Sequence, residues 1–208
     1  MTNVLIIDSA ATGEASVTRR LTGELEAILR GRGPVRIVHR DVGTHTIPHL
    51  TAETTPAIRG AKAATDAARE AIALSDELIA ELKAADLVVI GAPMYNFGIS
   101  STLKTWFDHV LRAGITFRYS EAGPEGLLKG KKTIVIESRA GLYSTGPSVP
   151  MDSQEPHLRT LLAFMGLDDV AFVRVEKLAF GADQAAASIA AAIDELRSLA
   201  ADELPLAA

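Results

Sequence analysis

Asp86-Leu-Val-Val-Ile-Gly-Ala-Pro-Met-Tyr-Asn-Phe-Gly98 is the stretch on which the reading of the fold turns. Leu87 to Ile90 is an unbroken aliphatic run without polar alternation, the pattern of a strand covered on both faces by helices. The run stops at Pro93, turns through Met94, Tyr95, Asn96 and Phe97, and passes after Gly98 into a helix. In open parallel sheets, ligands bind beyond the carboxyl ends of the strands, where the order of winding reverses. A turn of stacking and hydrogen-bonding side chains at that place is a candidate ring-binding loop. The plainer alternative is a strand-to-helix connection with one buried aromatic.

Upstream, Asn3 to Asp8 reads as a strand and Ser9 to Gly13 as a turn. A helix then starts at Ser16, with Leu21, Leu25, Ile28 and Leu29 on one face and an end near Gly31 and Gly33. Val35 to Val38 is a second strand, placed near an edge by Arg36 and His39. Asp41 to about Thr65, with Pro48 and Pro56, is a long connection of the kind that is functional or carries a short helix. Leu74, Leu78, Ile79 and Leu82 mark the helix that leads into the central strand.

Downstream, Ser100 caps a helix whose apolar stripe is Leu103, Trp106, Phe107, Val110 and Leu111. Ile115 to Lys132 reads as a glycine-punctuated connection, and Thr133 to Ile136 as a fourth strand. Leu158, Leu161, Leu162 and Met165 make a helix that Gly166 ends. Val170 to Val175 is a fifth strand, and a last helix runs from Asp183, with fraying expected beyond Ala201. Five strands alternating with five helices predict an α/β fold with a doubly wound sheet, and the pattern leaves both common strand orders open.

Composition narrows the function. A chain of 208 residues with 48% hydrophobic and 23% charged residues can bury one core, so residues 1–208 are expected to form a single domain. No segment approaches the roughly 18 uninterrupted apolar residues of a membrane helix, and Met1 leads straight into a strand without a signal-peptide pattern, so a soluble cytoplasmic protein is expected. The absence of cysteine excludes thiolate chemistry, and a net charge of -5 opposes binding to nucleic acid. His45 and His49 have metal-like spacing, but Pro48 interrupts the helix they would need and no third ligand stands near; no metal is expected. Gly126 to Thr133 has the wrong spacing for a phosphate loop and reads as a solvated lysine turn. No Gly-x-Ser-x-Gly elbow is present.

The first strand-to-helix turn lacks G-x-G-x-x-G and offers hydroxyls instead: Ser9, Ser16 and Thr18. A helix amino end with added hydroxyls suits a terminal phosphate monoester. Arg19 and Arg20 oppose the helix dipole there, a conflict that a bound anion would relieve; otherwise Ser16 is only a cap and the arginines are solvated. Three loops thus lie at one edge of the sheet, 9–18, 94–97 and 138–141. The first suits a phosphate, the second an aromatic ring system, and the third, with backbone N–H groups next to glycine, the polar rim of a ring. FMN has the shape that satisfies all three.

Several stretches together carry a resemblance. They are Leu-Ser-Asp-Glu-Leu-Ile-Ala-Glu-Leu-Lys at 74–83, Ala-Pro-Met-Tyr-Asn-Phe at 92–97, Arg-Ala-Gly-Ile-Thr-Phe-Arg-Tyr at 112–119 and Gly-Pro-Glu-Gly-Leu at 123–127. Over nearly its whole length the chain resembles the FMN-dependent NADH-azoreductase and NADH:quinone oxidoreductase family of flavodoxin-like proteins. The resemblance implies a five-stranded parallel sheet of order 2-1-3-4-5 in three layers, and a homodimer with one FMN per subunit at the interface. It also implies NADH or NADPH as donor, and ping-pong hydride transfer through flavin N5 to a quinone or azo compound, with no obligatory catalytic side chain. Carried over residue by residue, Ser9, Ser16, Val17 and Thr18 match the phosphate loop, and Met94, Tyr95, Asn96 and Phe97 the ring loop. Ser138, Arg139, Ala140 and Gly141 match a Ser-Arg-Gly-Gly loop. Ala10 stands where many relatives carry serine, and Ala140 where they carry glycine. Arg59, Tyr119 and Phe172 are candidates for the substrate pocket, partly across the dimer. The competing reading is a flavodoxin-type electron carrier, which should expose a strongly acidic docking face.

Overall fold

Each long aliphatic run becomes a strand of one parallel sheet in the computed structural model, which describes residues 1–202. The strands are β1 (Thr2–Asp8), β2 (Val35–Asp41), β3 (Leu87–Pro93), β6 (Lys132–Ser138) and β7 (Asp169–Val175). Their order is β2-β1-β3-β6-β7, which is 2-1-3-4-5 when only the strands of this sheet are counted. β2 is an edge strand, as its polar residues require. Every residue of β3 is buried, as expected of a strand with neighbours on both sides and helices on both faces.

Side chains alternate across the sheet and feed two cores. Val4, Ile6, Val89, Ile134, Ile136 and Val173 face Leu21, Leu25 and Leu29 of α1 (Val17–Arg32), together with Ala192 and Leu196 of α6 (Ala182–Asp202). Leu5, Ile7, Val88, Ile90 and Val135 face α3 (Asp66–Ala84), α4 (Ser101–Val110) and α5 (Glu155–Met165). Trp106 and Phe107 of α4 are fully buried, meeting edge to face with ring centroids 4.9 Å apart. The result is three layers. The long connection after β2 carries one short helix, α2 (Thr55–Ile58).

Two expectations need correction. The connection 115–132 is not structureless: it contains an antiparallel hairpin, β4 (Phe117–Ser120) and β5 (Gly123–Gly126). Gly-Pro-Glu-Gly offers no apolar run to reveal a strand, and its place is set by tertiary contact instead. A Cβ on Gly126 would lie 2.0 Å from the Gly166 nitrogen, so the two backbones touch, and Leu128 N donates to Met165 O at 2.9 Å. Nor is the lysine turn simply solvated. Lys131 Nζ donates to the carbonyls of Lys83 (2.9 Å) and Ala85 (2.6 Å), closing the end of α3 as a cation at a helix carboxyl terminus should.

Ser16 caps α1, its Oγ accepting from Arg19 N at 3.4 Å, and Ser100 caps α4, accepting from Leu103 N at 3.2 Å. His49 Nδ1 meets Thr105 Oγ1 at 3.0 Å, and no cluster of three metal-ligating groups exists among the described residues. Among these residues no helix is long and apolar enough to cross a membrane. Of the fraying expected beyond Ala201, residues 203–208 lie outside those described.

Candidate functional site

The carboxyl ends of β1, β3 and β6 open into a shallow crevice of about 310 Å³, with walls that include Ser16, Val17, Met94, Tyr95, Ser138 and Ala140. The first wall is the start of α1. Val17 and Thr18 donate no backbone hydrogen bond to any of the described residues, as the first turn of a helix requires. Beside them the hydroxyls of Ser16 and Thr18 hydrogen-bond each other at 2.9 Å. Ser9 is fully buried and its hydroxyl donates to Gly91 O at 2.7 Å, so it ties β1 to β3. Ala10 is also fully buried.

The expected conflict of Arg19 with the helix dipole is relieved within the chain. Its guanidinium lies 2.6 Å from Asp41 and 3.8 Å from Glu14. Burial pulls the Asp41 carboxyl upward, but hydrogen bonds from Thr44 and the charge of Arg19 prevail and hold it below the usual range. Asp8, buried at the end of β1, is pushed up by desolvation, opposed by a 2.9 Å hydrogen bond from Thr22.

The second wall is the 94–97 turn. Tyr95 and Gly98 exchange backbone hydrogen bonds of 2.9 and 3.1 Å, and between them Asn96 (φ 48°) and Phe97 (φ 71°) both adopt left-handed backbone. Such conformations without glycine cost on the order of 1–3 kcal/mol each and cluster where ligands are clamped. Neither residue's N–H finds an acceptor among the described residues. Tyr95 Oη accepts from Ala11 N at 3.1 Å, joining this wall to the first. Phe97 meets Tyr143 edge to face, with centroids 6.1 Å apart.

The third wall is Ser138 to Gly141. All four carbonyls are taken: Met94 N donates to Ser138 O at 2.9 Å, Leu178 N to Arg139 O at 3.3 Å, Ala179 N to Ala140 O at 3.0 Å, and Lys177 N to Gly141 O at 2.8 Å. The amides of Ala140 and Gly141 donate to nothing among the described residues. Ala140 does not adopt left-handed backbone, so alanine is accommodated there without strain, and its methyl is exposed. Three pairs of N–H groups without an acceptor among the described residues, at 17–18, 96–97 and 140–141, thus lie in or beside the crevice, with Val17 and Ala140 in its lining. A fixed row of donors of this kind suits an anion at the helix start and the acceptor-rich edge of a ring at the two loops.

Four candidate side chains do not line this crevice within one chain. The Arg139 side chain is fully buried behind its loop, paired with Glu137 at 2.7 Å, and only its backbone faces the crevice. Phe172 is a core residue of β7, with the Arg159 guanidinium 4.2 Å over its ring. Arg59 and Tyr119 are exposed and line a different cavity, with Leu50, Leu111, Phe117 and Phe164. Sequence reasoning passed over Gln154, Glu137 and Glu176, the partners of Arg139. The alternation Glu137-Ser138-Arg139, at the end of a buried strand, puts both charges on one face and signals Glu137 alone; Gln154 and Glu176 are too distant in sequence to be signalled.

Residues 2–200 match the family described as Flavodoxin-like fold. The chain is 50% identical over 203 residues to an FMN-dependent NADH:quinone oxidoreductase of Hyphomonas neptunium, covering 96% of each chain. It belongs to the FMN-dependent NADH:quinone oxidoreductase family. A relative of the same name from Sinorhizobium fredii is 47% identical over 191 residues, 91% of this chain and 93% of that one. Among solved structures, an azoreductase from Bacillus anthracis superposes with a TM-score of 0.87 at 27% identity, covering 96% of this chain and 99% of that one. In this oxidoreductase family member the donors of the crevice fit the mononucleotide for which the relatives are named.

Proposed function

We propose that this chain is an FMN-dependent NAD(P)H oxidoreductase that makes two-electron reductions of quinones, of aromatic azo compounds, or of both. The observation that carries the reading is the ring of unpaired amides at three strand ends, two of them held in left-handed backbone at Asn96 and Phe97. Val17, Thr18 and the Ser16 hydroxyl would hold the phosphate, and Ser9 would support them by fixing β1 against β3. Met94 to Phe97 and Ser138 to Gly141 would hold the ring. The chemistry FMN supplies when bound is hydride exchange between NADH or NADPH and the acceptor. The amides of 140–141 would stabilise negative charge developing on the ring, as preorganised donors in a water-poor site do. No side chain of the crevice is required as nucleophile.

Donor and acceptor would occupy the same face in turn, which makes ping-pong kinetics the expected pattern. A homodimer, with Arg59 and Tyr119 reaching the partner's crevice to shape its acceptor site, goes with this reading, as does a cytoplasmic location. A flavodoxin-type carrier is not favoured, because the relatives carry an enzyme's name over the full length of the match. The test is reconstitution with FMN, absorbance spectroscopy, and steady-state turnover of benzoquinone and an azo dye with NADH. Parallel double-reciprocal lines support the proposal; a protein that stays colourless in excess FMN refutes it.

A further inference from the structure

Behind the third wall lies a cluster of charge that the proposed chemistry does not use. Arg139 is fully buried, yet its guanidinium is almost completely engaged. Nε donates to Gln154 Oε1 at 3.0 Å, Nη2 to Glu137 Oε2 at 2.7 Å, and Nη1 to Glu176 Oε1 at 3.2 Å, while Asp152 Oδ2 lies 3.0 Å from Nη2. Two of these partners reach onward. Gln154 Nε2 donates to Ala92 O at 2.7 Å, the backbone of β3 two residues before Met94. Glu176 Oε1 accepts from the amides of Tyr143 (2.8 Å) and Ser144 (2.9 Å), the residues that follow the third wall. One planar cation thus touches, through a single intermediary each, the end of the strand leading to the ring loop and the segment that closes the rim loop. Its own backbone lies in the rim, with Arg139 N donating to Val175 O at 2.8 Å.

A buried arginine with several carboxylates is weak evidence for stability, because desolvation offsets most of the attraction. It is good evidence for geometry, since the planar fork fixes directions that a lysine or an apolar side chain would leave free. The unpaired amides of Ala140 and Gly141 are useful as ring donors only if their direction is held while the ring is absent.

We propose that Arg139 is a positioning residue: through Gln154 and Glu176 it locks the 138–141 rim to the end of β3 and to residues 143–144, and so aims the Ala140 and Gly141 amides for FMN. This rests on the proposed function. Arg139 itself does not touch the ring; it acts through the backbone on either side of it.

The test compares wild type with Arg139→Met, Arg139→Lys and Gln154→Leu, the last of which cuts the link to Ala92 without changing charge. Leu162→Ala, a core change in α5 remote from the crevice, serves as a control for lost stability. FMN affinity is read by fluorescence titration, the flavin midpoint potential by dye equilibration, and thermal stability by melting. Arg139→Met and Gln154→Leu are expected to weaken FMN binding by about 10- to 100-fold, the scale of supporting partners behind ligating groups. Both should make the potential more negative, beyond any change in the Leu162→Ala control, and Arg139→Lys should recover part of each effect. If both variants match the control in affinity and potential, Arg139 has only a structural role and the proposal falls. If Arg139→Met does not fold, Gln154→Leu decides alone. Wild type that fails to bind FMN overturns the proposed function, and with it this inference. Normal wild-type binding with variants that match the control overturns the inference only.

Discussion

At the scale of single residues, two unusual choices carry most of the meaning. Asn96 and Phe97 hold positive φ without glycine, and asparagine tolerates that backbone because its short amide can bond locally. Asn96→Val, with a branched Cβ, is expected to lower stability by about 1–2 kcal/mol and to weaken FMN binding, measured by melting and by titration. Glu137 is the other. Burial, only partly offset by the charge of Arg139, and the nearby carboxylates Glu155 and Asp152 push its pKa up to about 8. In the unfolded chain it loses its proton near the usual 4.5, so between that pH and about 8 the folded state holds a proton the unfolded state lacks, and stability falls as pH rises. Glu137→Gln cannot ionise. Its melting temperature relative to wild type should therefore climb from pH 4.5 to 8 and level off above; a constant difference would refute the assignment. Glu155 carries the opposite sign. Although desolvation raises it, Arg174 and Arg159 prevail and hold it down at about 2, so its contribution is lost as pH falls from 4.5 through 2. Glu155→Gln should flatten the acid limb of the melting profile.

At the scale of elements, what could be read in advance follows how local the signal is. The central strand was legible because Leu87 to Ile90 needs no partner to declare itself, and α1 and α4 were legible from Ser16 and Ser100 followed by apolar stripes. β5 was not, because Gly123-Pro124-Glu125-Gly126 is placed by the backbone of Gly166 and not by its own side chains. The same distinction holds in the site. The helix start and the ring loop are written in hydroxyls and aromatics, whereas the inward turn of Arg139 depends on Gln154 and Glu176, distant in sequence. The Gly126 contact gives a direct prediction. Gly126→Ala puts a methyl into the Gly166 backbone and should cost about 1–3 kcal/mol by melting, the range of overpacking, while Gly23→Ala in α1, with open space around it and no left-handed backbone, should avoid that cost.

At the scale of the molecule, the crevice and the cavity holding Arg59 and Tyr119 are separate places on one chain. If a second copy brings them together, Arg59→Ala and Tyr119→Ala should change KM for quinones several-fold while leaving FMN affinity as it was. Size-exclusion chromatography should give twice the mass of one chain. Loss of FMN binding in either variant would place these residues at the wrong site. The sheet order has a further consequence, for the ribosome. β1 is made first, yet it lies between β2 and β3, with Val4 to Asp8 paired in register to Leu87 to Gly91. Its apolar residues 4–7 therefore wait for more than eighty further residues before their second neighbour exists, an interval in which an open strand edge is sticky. Synthesis that stalls before Leu87 should release aggregates, and chaperones that shield nascent chains should matter most over that interval.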